Sequence, residues 1–190
     1  MLPVGTPTTD ISDAHPALHV CETQFIQYGG RTVFGGRIRT LKCLDDTALL
    51  MRVLAEPGDG AVLVVDGEAS LRCALLGDRH GRMAVENGWA GLVINGAVRD
   101  AAGLRSLELG VKALGVTPRR SGKTGLGAVD VPVRFGTAEF VPGGFLWSDA
   151  DGIVVAPPGW DSDSLEPVKQ QVGLPTPTQP PGTAASSTTG

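Results

Sequence analysis

The sequence predicts an α/β domain whose last third is built largely from strands, and three observations carry that reading. Residues 61–65 and 91–94 are short, nearly continuous apolar runs, the pattern of strands covered on both faces. The stretches between and after them, 78–87 and 101–109, read as helices closed by Gly88 and Gly110. Residues 131–136, 137–143 and 145–157 then alternate strand-forming residues with Gly, Pro and Asp-Gly turns.

Taken in order, Thr9-Asp10-Ile11-Ser12-Asp13 offers a hydroxyl N-cap and early carboxylates for a short helix, which Pro16 limits. Residues 37–43 alternate charged and apolar side chains as a half-buried strand does. Asp45-Asp46 then cap a helix with Leu50, Val53 and Leu54 on one face, ended by Pro57-Gly58. The apolar run 61–65 is bounded by Gly60 and Asp66-Gly67, and a further strand is expected over 111–116. Strand, helix, strand, helix is the resulting order.

A chain of 190 residues with 42% hydrophobic and 19% charged residues has the composition of one globular core. From residue 173 the sequence is rich in Pro, Thr, Ser and Gly without periodic apolar residues, so a domain over 1–172 and a disordered tail over 173–190 are expected. A net charge of -4, with the 16 Lys and Arg scattered, argues against a nucleic-acid partner, which calls for clustered cations. No apolar run reaches the roughly 18 to 20 residues that span a bilayer, and the first residues lack a basic, then apolar, leader. No membrane partner is expected, and the expected location is the cytoplasm. Cys21, Cys43 and Cys73 show no CxxC spacing and read as buried thiols.

Chemistry is expected at two strand-to-helix junctions, 74–78 and 95–100. Arg99 offers a rigid, permanently charged fork for a carboxylate, and Asp100 a hard oxygen ligand for a magnesium-like ion. On the residues alone, an Arg-Asp dipeptide in a loop is more often a solvated pair. Other signals are weaker. Gly122-Lys123-Thr124 resembles the end of a phosphate-binding loop, but position 117 is Thr where a glycine is required. His15 and His19 stand four apart, yet Pro16 replaces the Glu of a zinc-protease motif, which leaves a surface or capping role. His80 could touch substrate or shuttle a proton, although a lone histidine at a helix start is usually structural or solvated. Lys112 is the best Schiff-base candidate, with nothing in the nearby sequence to depress its pKa.

Gly77-Asp78, twenty residues, then Arg99-Asp100 with Gly103 following, resembles the signature of the RraA-like family, which includes the 4-hydroxy-4-methyl-2-oxoglutarate aldolases. The resemblance extends through Tyr28-Gly29-Gly30, the helix start at 45–50, residues 112–115 and the turn at 149–153, and covers roughly residues 8–156. It implies a β/β/α swivelling-type domain assembled as a homotrimer with sites at subunit interfaces. Carried over position by position, it makes Asp100 the metal ligand and Asp78 the holder of metal-bound water. Arg99 grips the C1 carboxylate of a 2-oxo acid, and backbone amides at Gly77, Asp78, Arg79 and His80 complete the pocket. Arg79 and His80 depart from the family's usual apolar pair, which bears on substrate specificity. Some relatives also use an acidic residue near the partner's C-terminus; Glu166 is the nearby candidate and receives no role.

The activity so implied is class II aldol cleavage of 4-hydroxy-4-methyl-2-oxoglutarate, or 4-carboxy-4-hydroxy-2-oxoadipate, to pyruvate through an enolate stabilised by Mg²⁺ or Mn²⁺. Oxaloacetate decarboxylation is expected as a side reaction because it passes through the same enolate. The alternative implied by the resemblance is a non-enzymatic regulator that binds an RNA-degrading endonuclease. A methyltransferase label, also attached to relatives, would need a glycine-rich cofactor loop after the first strand. Residues 64–68 provide one glycine there.

Overall fold

A computed structural model describes residues 1–162. The expected tail over 173–190, the end of the expected domain and Glu166 lie outside the described residues. Four strands form the parallel centre: β3 (Phe34–Lys42), β4 (Val62–Leu76), β5 (Gly91–Val98) and β6 (Gly110–Val116). They are joined by the helices α2 (Ala48–Leu54), α3 (Asp78–Glu86) and α4 (Ala101–Arg105). Consecutive strands lie side by side, the order that short right-handed strand-helix-strand crossovers produce. Antiparallel strands extend both edges: β2 (Ile26–Gln27) along β6, and β10 (Phe145–Ser148), β11 (Ile153–Ala156) and β1 (His19–Val20) outward from β3. A short β7 (Ala128–Val129) joins the far end of β3, and β8 (Val133–Phe135) pairs with β9 (Ala138–Phe140) as a separate hairpin.

The apolar runs are strands because both of their faces are covered. Leu63, Val65, Leu92 and Ile94 face the helices and pack with Leu50, Val53, Leu54, Ala84 and Leu104. Val62, Val64 and Val93 point the other way, onto Val133, Ala138 and Phe140 of the small hairpin and Leu146, Ile153 and Val155 of the edge strands. The result is a mixed α/β fold with a mixed-sheet core, helices on one face and the small hairpin on the other. Phe34 packs where β5 and β6 begin: Gly91 and Gly110 stand opposite one another, and a Cβ on Gly110 would lie 2.2 Å from Cγ of Phe34. The three cysteines are free and buried.

The first helix, α1 (Thr8–Ala14), ends before Pro16 as expected but has no hydroxyl N-cap. Pro7 holds that position, and the Thr8 hydroxyl and amide instead donate to Asp149 at 2.6 and 2.7 Å. Asp149 also accepts from the amides of Asp151 and Gly152, so one carboxylate ties the amino-terminal helix to the β10–β11 turn. Of Asp45-Asp46, only Asp46 serves α2, accepting from the Ala48 amide; Asp45 turns to Ser70 and Arg72.

Two boundaries differ from the sequence pattern. β4 continues to Leu76, past the expected stop at Asp66-Gly67, with register shifts against β5 that absorb its polar middle. α4 ends at Arg105, and Gly110 begins β6, so it is a packing glycine and not a helix terminator.

Candidate active site at the starts of two helices

β4 and β5 end side by side, and the chain leaves each of them directly into a helix. Gly77 is the N-cap of α3 and Asp78 its first residue, while Asp100 is the N-cap of α4. The Arg99 amide donates to the Leu76 carbonyl at 2.8 Å, which locks the two junctions together. Two glycines set their spacing. A Cβ on Gly77 would lie 2.7 Å from Oδ2 of Asp100, and one on Gly103 would lie 2.8 Å from Cβ of Asp78. Asp100 sits in the left-handed region, φ 55° and ψ 42°, a conformation that Asp tolerates better than most residues.

Each carboxylate has a cationic neighbour. Arg82 bonds to Asp78 one turn along α3, and Nε of Arg99 lies 3.2 Å from Oδ2 of Asp100. Gly81 donates to the Gly77 carbonyl at 3.0 Å as the first intrahelical bond of α3, so the amides of Asp78, Arg79 and His80 are the free donors of its first turn. Burial, with Arg79 and Lys123 nearby, pushes the His80 imidazole toward its neutral form, and Asp78 opposes that shift.

Gly77, Asp78, Arg79, His80, Arg99 and Asp100 all line one cleft of about 330 Å³. Thr47, Arg120, Ser121 and Lys123 line it too, and the sequence pattern did not single them out as site residues. They come from the loop after β6 and the start of α2. The loop is firmly held: Thr117 donates to the Val98 carbonyl at 3.0 Å, Arg119 accepts from the Ala74 amide at 2.9 Å, and Thr47 donates to the Gly122 carbonyl at 3.0 Å. The Asp46 carboxylate completes the anchor, accepting from the amide and hydroxyl of Thr124 and from the Gly125 amide. Those bonds give the Gly122-Lys123-Thr124 resemblance its explanation, because amides that a nucleotide phosphate would need are spent on an internal carboxylate.

The cleft therefore presents Arg79, Arg99, Arg120 and Lys123 against Asp78 and Asp100, an anion-attracting balance. Its oxygen donors suit a hard, water-rich cation. Oδ2 of Asp100 projects over the bare Cα of Gly77, in space that a side chain would fill. Among the described residues no three His, Cys, Asp or Glu side chains gather as a closed metal cage. Magnesium-like ions bind through as few as one or two carboxylates, so the residues present fit such an ion.

Lys112 is not among the residues lining this cleft. It lies buried in β6, where Nζ donates to the Asp149 carbonyl at 2.6 Å. The expectation that nothing depresses its pKa is corrected: burial pushes it below the usual lysine value against the opposing charges of Asp149 and Asp151. His15 caps α1 and meets Trp160 edge to face, and the Glu139 amide approaches Nδ1 of His19. Among the described residues, no helix is long and apolar enough to cross a membrane.

The fold is thus a mixed α/β domain with an anion-attracting, carboxylate-bearing cleft at two adjoining helix starts. Residues 8–155 match the family described as RraA-like, Aldolase/RraA, and the chain belongs to that family. A structure of the RNA-processing inhibitor RraA from Thermus thermophilus is 47% identical, with TM-score 0.79 over 82% of this chain and 95% of that one. A Geobacillus kaustophilus structure described as an S-adenosylmethionine:2-dimethylmenaquinone methyltransferase is 43% identical, with TM-score 0.79 over 80% of this chain and 96% of that one. An unusual member of the RNase ES inhibitor RraA family from Streptomyces coelicolor is 31% identical, with TM-score 0.66 over 79% of each chain.

Proposed function

We propose that this protein is a divalent-metal-dependent aldolase that cleaves 4-hydroxy-4-methyl-2-oxoglutarate, or 4-carboxy-4-hydroxy-2-oxoadipate, to pyruvate, with oxaloacetate decarboxylation as a side activity. The observation that carries this reading is the meeting of Arg99, Asp100, Asp78 and the free amides of α3 in one cleft. Retro-aldol cleavage breaks the C3–C4 bond and leaves an electron pair on C3, beside the C2 carbonyl. Arg99 holds the C1 carboxylate through its fork and offsets part of the charge. The first amides of α3, which have no intrahelical acceptor, would receive anionic oxygen, with the helix dipole in support. Asp100 would hold the ion, Mg²⁺ or Mn²⁺, which supplies Lewis-acid polarisation of the 2-keto oxygen. Asp78 orients a water that takes the proton of the C4 hydroxyl and afterwards returns one to C3.

Assembly as a homotrimer with the site at a subunit interface belongs to the same proposal. Leu71 and Val116 support it, being 54% and 56% exposed near the end of the sheet that bears the cleft, where a second copy would bury them. The test is pyruvate release by the purified protein with Mg²⁺, with chelator, and in Asp100→Ala. Metal-dependent release that Asp100→Ala abolishes is expected, and equal background in all three sinks the aldolase.

A second reading is a protein-binding regulator of an RNA-degrading endonuclease, favoured by the 47% identity to the Thermus thermophilus protein described as an RNA-processing inhibitor. It needs none of the cleft chemistry. Inhibition of an endonuclease by the Asp100→Ala variant, without pyruvate release by the wild type, would make it the better account.

A further inference from the structure

The arginines of this chain divide by what they touch. Arg39, Arg72, Arg82, Arg99 and Arg134 each have a carboxylate partner within the protein. Arg79 and Arg120 line the cleft, are exposed, and have no carboxylate within ion-pair distance among the described residues. Both stand on rigid backbone. Arg79 is in the first turn of α3, and Arg120 forms a β-bridge with Ala74, beside the Arg119 carbonyl that accepts from the Ala74 amide. Two guanidinium groups on fixed backbone, without a carboxylate partner and lining the same cleft as Arg99, make a receptor for a further anionic group.

We propose that Arg79 and Arg120 form a second anion subsite, which selects 2-oxo acids carrying additional carboxylates beyond the bond to be cleaved and favours three carboxylates over two. The proposal rests on the aldolase reading for the place of the first carboxylate, which Arg99 takes. The remaining carboxylates of a tricarboxylate then meet two forks, whereas a dicarboxylate leaves one fork unpaired. In place of an apolar pair after Gly77-Asp78, Arg79 brings a charge into the cleft that Arg99 also lines. Arg120 reaches the same cleft only because the loop after β6 is anchored at Asp46, Thr47 and Ala74.

Binding tests this without turnover. Tricarballylate and glutarate serve as probes, titrated calorimetrically into the full chain with Mg²⁺ present. The wild type is expected to bind tricarballylate about tenfold or more tightly than glutarate. Arg79→Gln and Arg120→Gln each shrink that ratio to about twofold to threefold, whereas Arg99→Gln weakens both probes and leaves the ratio standing. Both substituted side chains are exposed, so melting temperatures should match the wild type. A wild type without preference, or a ratio that survives both substitutions, overturns the subsite. Retained discrimination without pyruvate release from either hydroxy-oxo acid overturns the aldolase reading alone.

Discussion

Replacing Gly77 by Ala should disable the cleft while leaving every charged group in the sequence. The backbone there has φ -131° and ψ 177°, extended geometry that any residue adopts, so the substitution brings no backbone strain. The added Cβ would lie 2.7 Å from Oδ2 of Asp100 and 3.1 Å from Cγ of Arg99. A carbon and an oxygen need about 3.3 Å, so the Asp100 carboxylate must retreat by about 0.6 Å and Arg99 must shift with it. A misplacement near 1 Å at a reacting centre costs about a hundredfold, so pyruvate release should fall by about ten- to a hundredfold. Stability should hold: Ala is the poorer N-cap by about 0.5–1 kcal/mol, offset by the smaller conformational entropy it gives the unfolded chain. Steady-state release of pyruvate and a thermal melt on the same preparation check both halves. Full activity with an unchanged melt would show that the position of Asp100 does not matter, and would remove the basis for its proposed role.

Acid should destabilise the fold through three carboxylates. Bonds from Ser70 hold Asp45 below the usual carboxylate value. At Asp46 and Asp149 burial pushes upward but is outweighed by bonds from Ala48, Thr124 and Gly125 and from Thr8, Asp151 and Gly152. Groups depressed on folding contribute stability above their unfolded pKa, about 4, and lose it as pH falls through the folded value. Melting temperature should therefore drop steeply below about pH 4, and a flat profile from pH 5 to 3 would contradict the assignment. If the electron sink is the proposed metal and not an imine, borohydride should fail to trap pyruvate on the chain and Lys112→Met should retain pyruvate release. A pyruvyl adduct on Lys112 by mass spectrometry would reverse that conclusion.

The parallel centre of the fold was legible because its strands are covered on both faces, which writes an uninterrupted apolar run into residues 61–65 and 91–94. The second half of β4 was not, because Glu68, Ser70 and Arg72 are polar or charged and the register shifts against β5. Gly110 misled for a physical reason: glycine after a helix signals a left-handed cap, but here it makes room for Phe34. Within the cleft, Asp78, Arg99 and Asp100 were readable from the spacing that carries the family resemblance. Arg120 and Ser121 were not, because pairing with Ala74 and Thr47 brings them in from a distant part of the chain. The one local hint was Gly122-Lys123-Thr124, which reads as a phosphate loop and in the structure embraces Asp46.

The backbone at Asp100 separates what the fold asks for from what the chemistry asks for. A left-handed residue with a Cβ costs about 1–2 kcal/mol, less for Asp, and Gly occupies that region freely. Asp100→Gly and Asp100→Ala both remove the carboxylate and its contact with Arg99, so they differ chiefly in backbone strain at φ 55°. The Gly variant should be the more stable of the two by about 1 kcal/mol, a difference of about 2–4 °C in melting temperature, and both should release no pyruvate. Equal melting temperatures would mean that the turn relaxes and stores no strain, while an active Gly variant would mean that the carboxylate does not hold the ion. If the Gly variant is stable and inactive, the turn tolerates a residue better suited to it than Asp. The side chain at position 100 would then be kept for the ion it holds and not for the turn it caps.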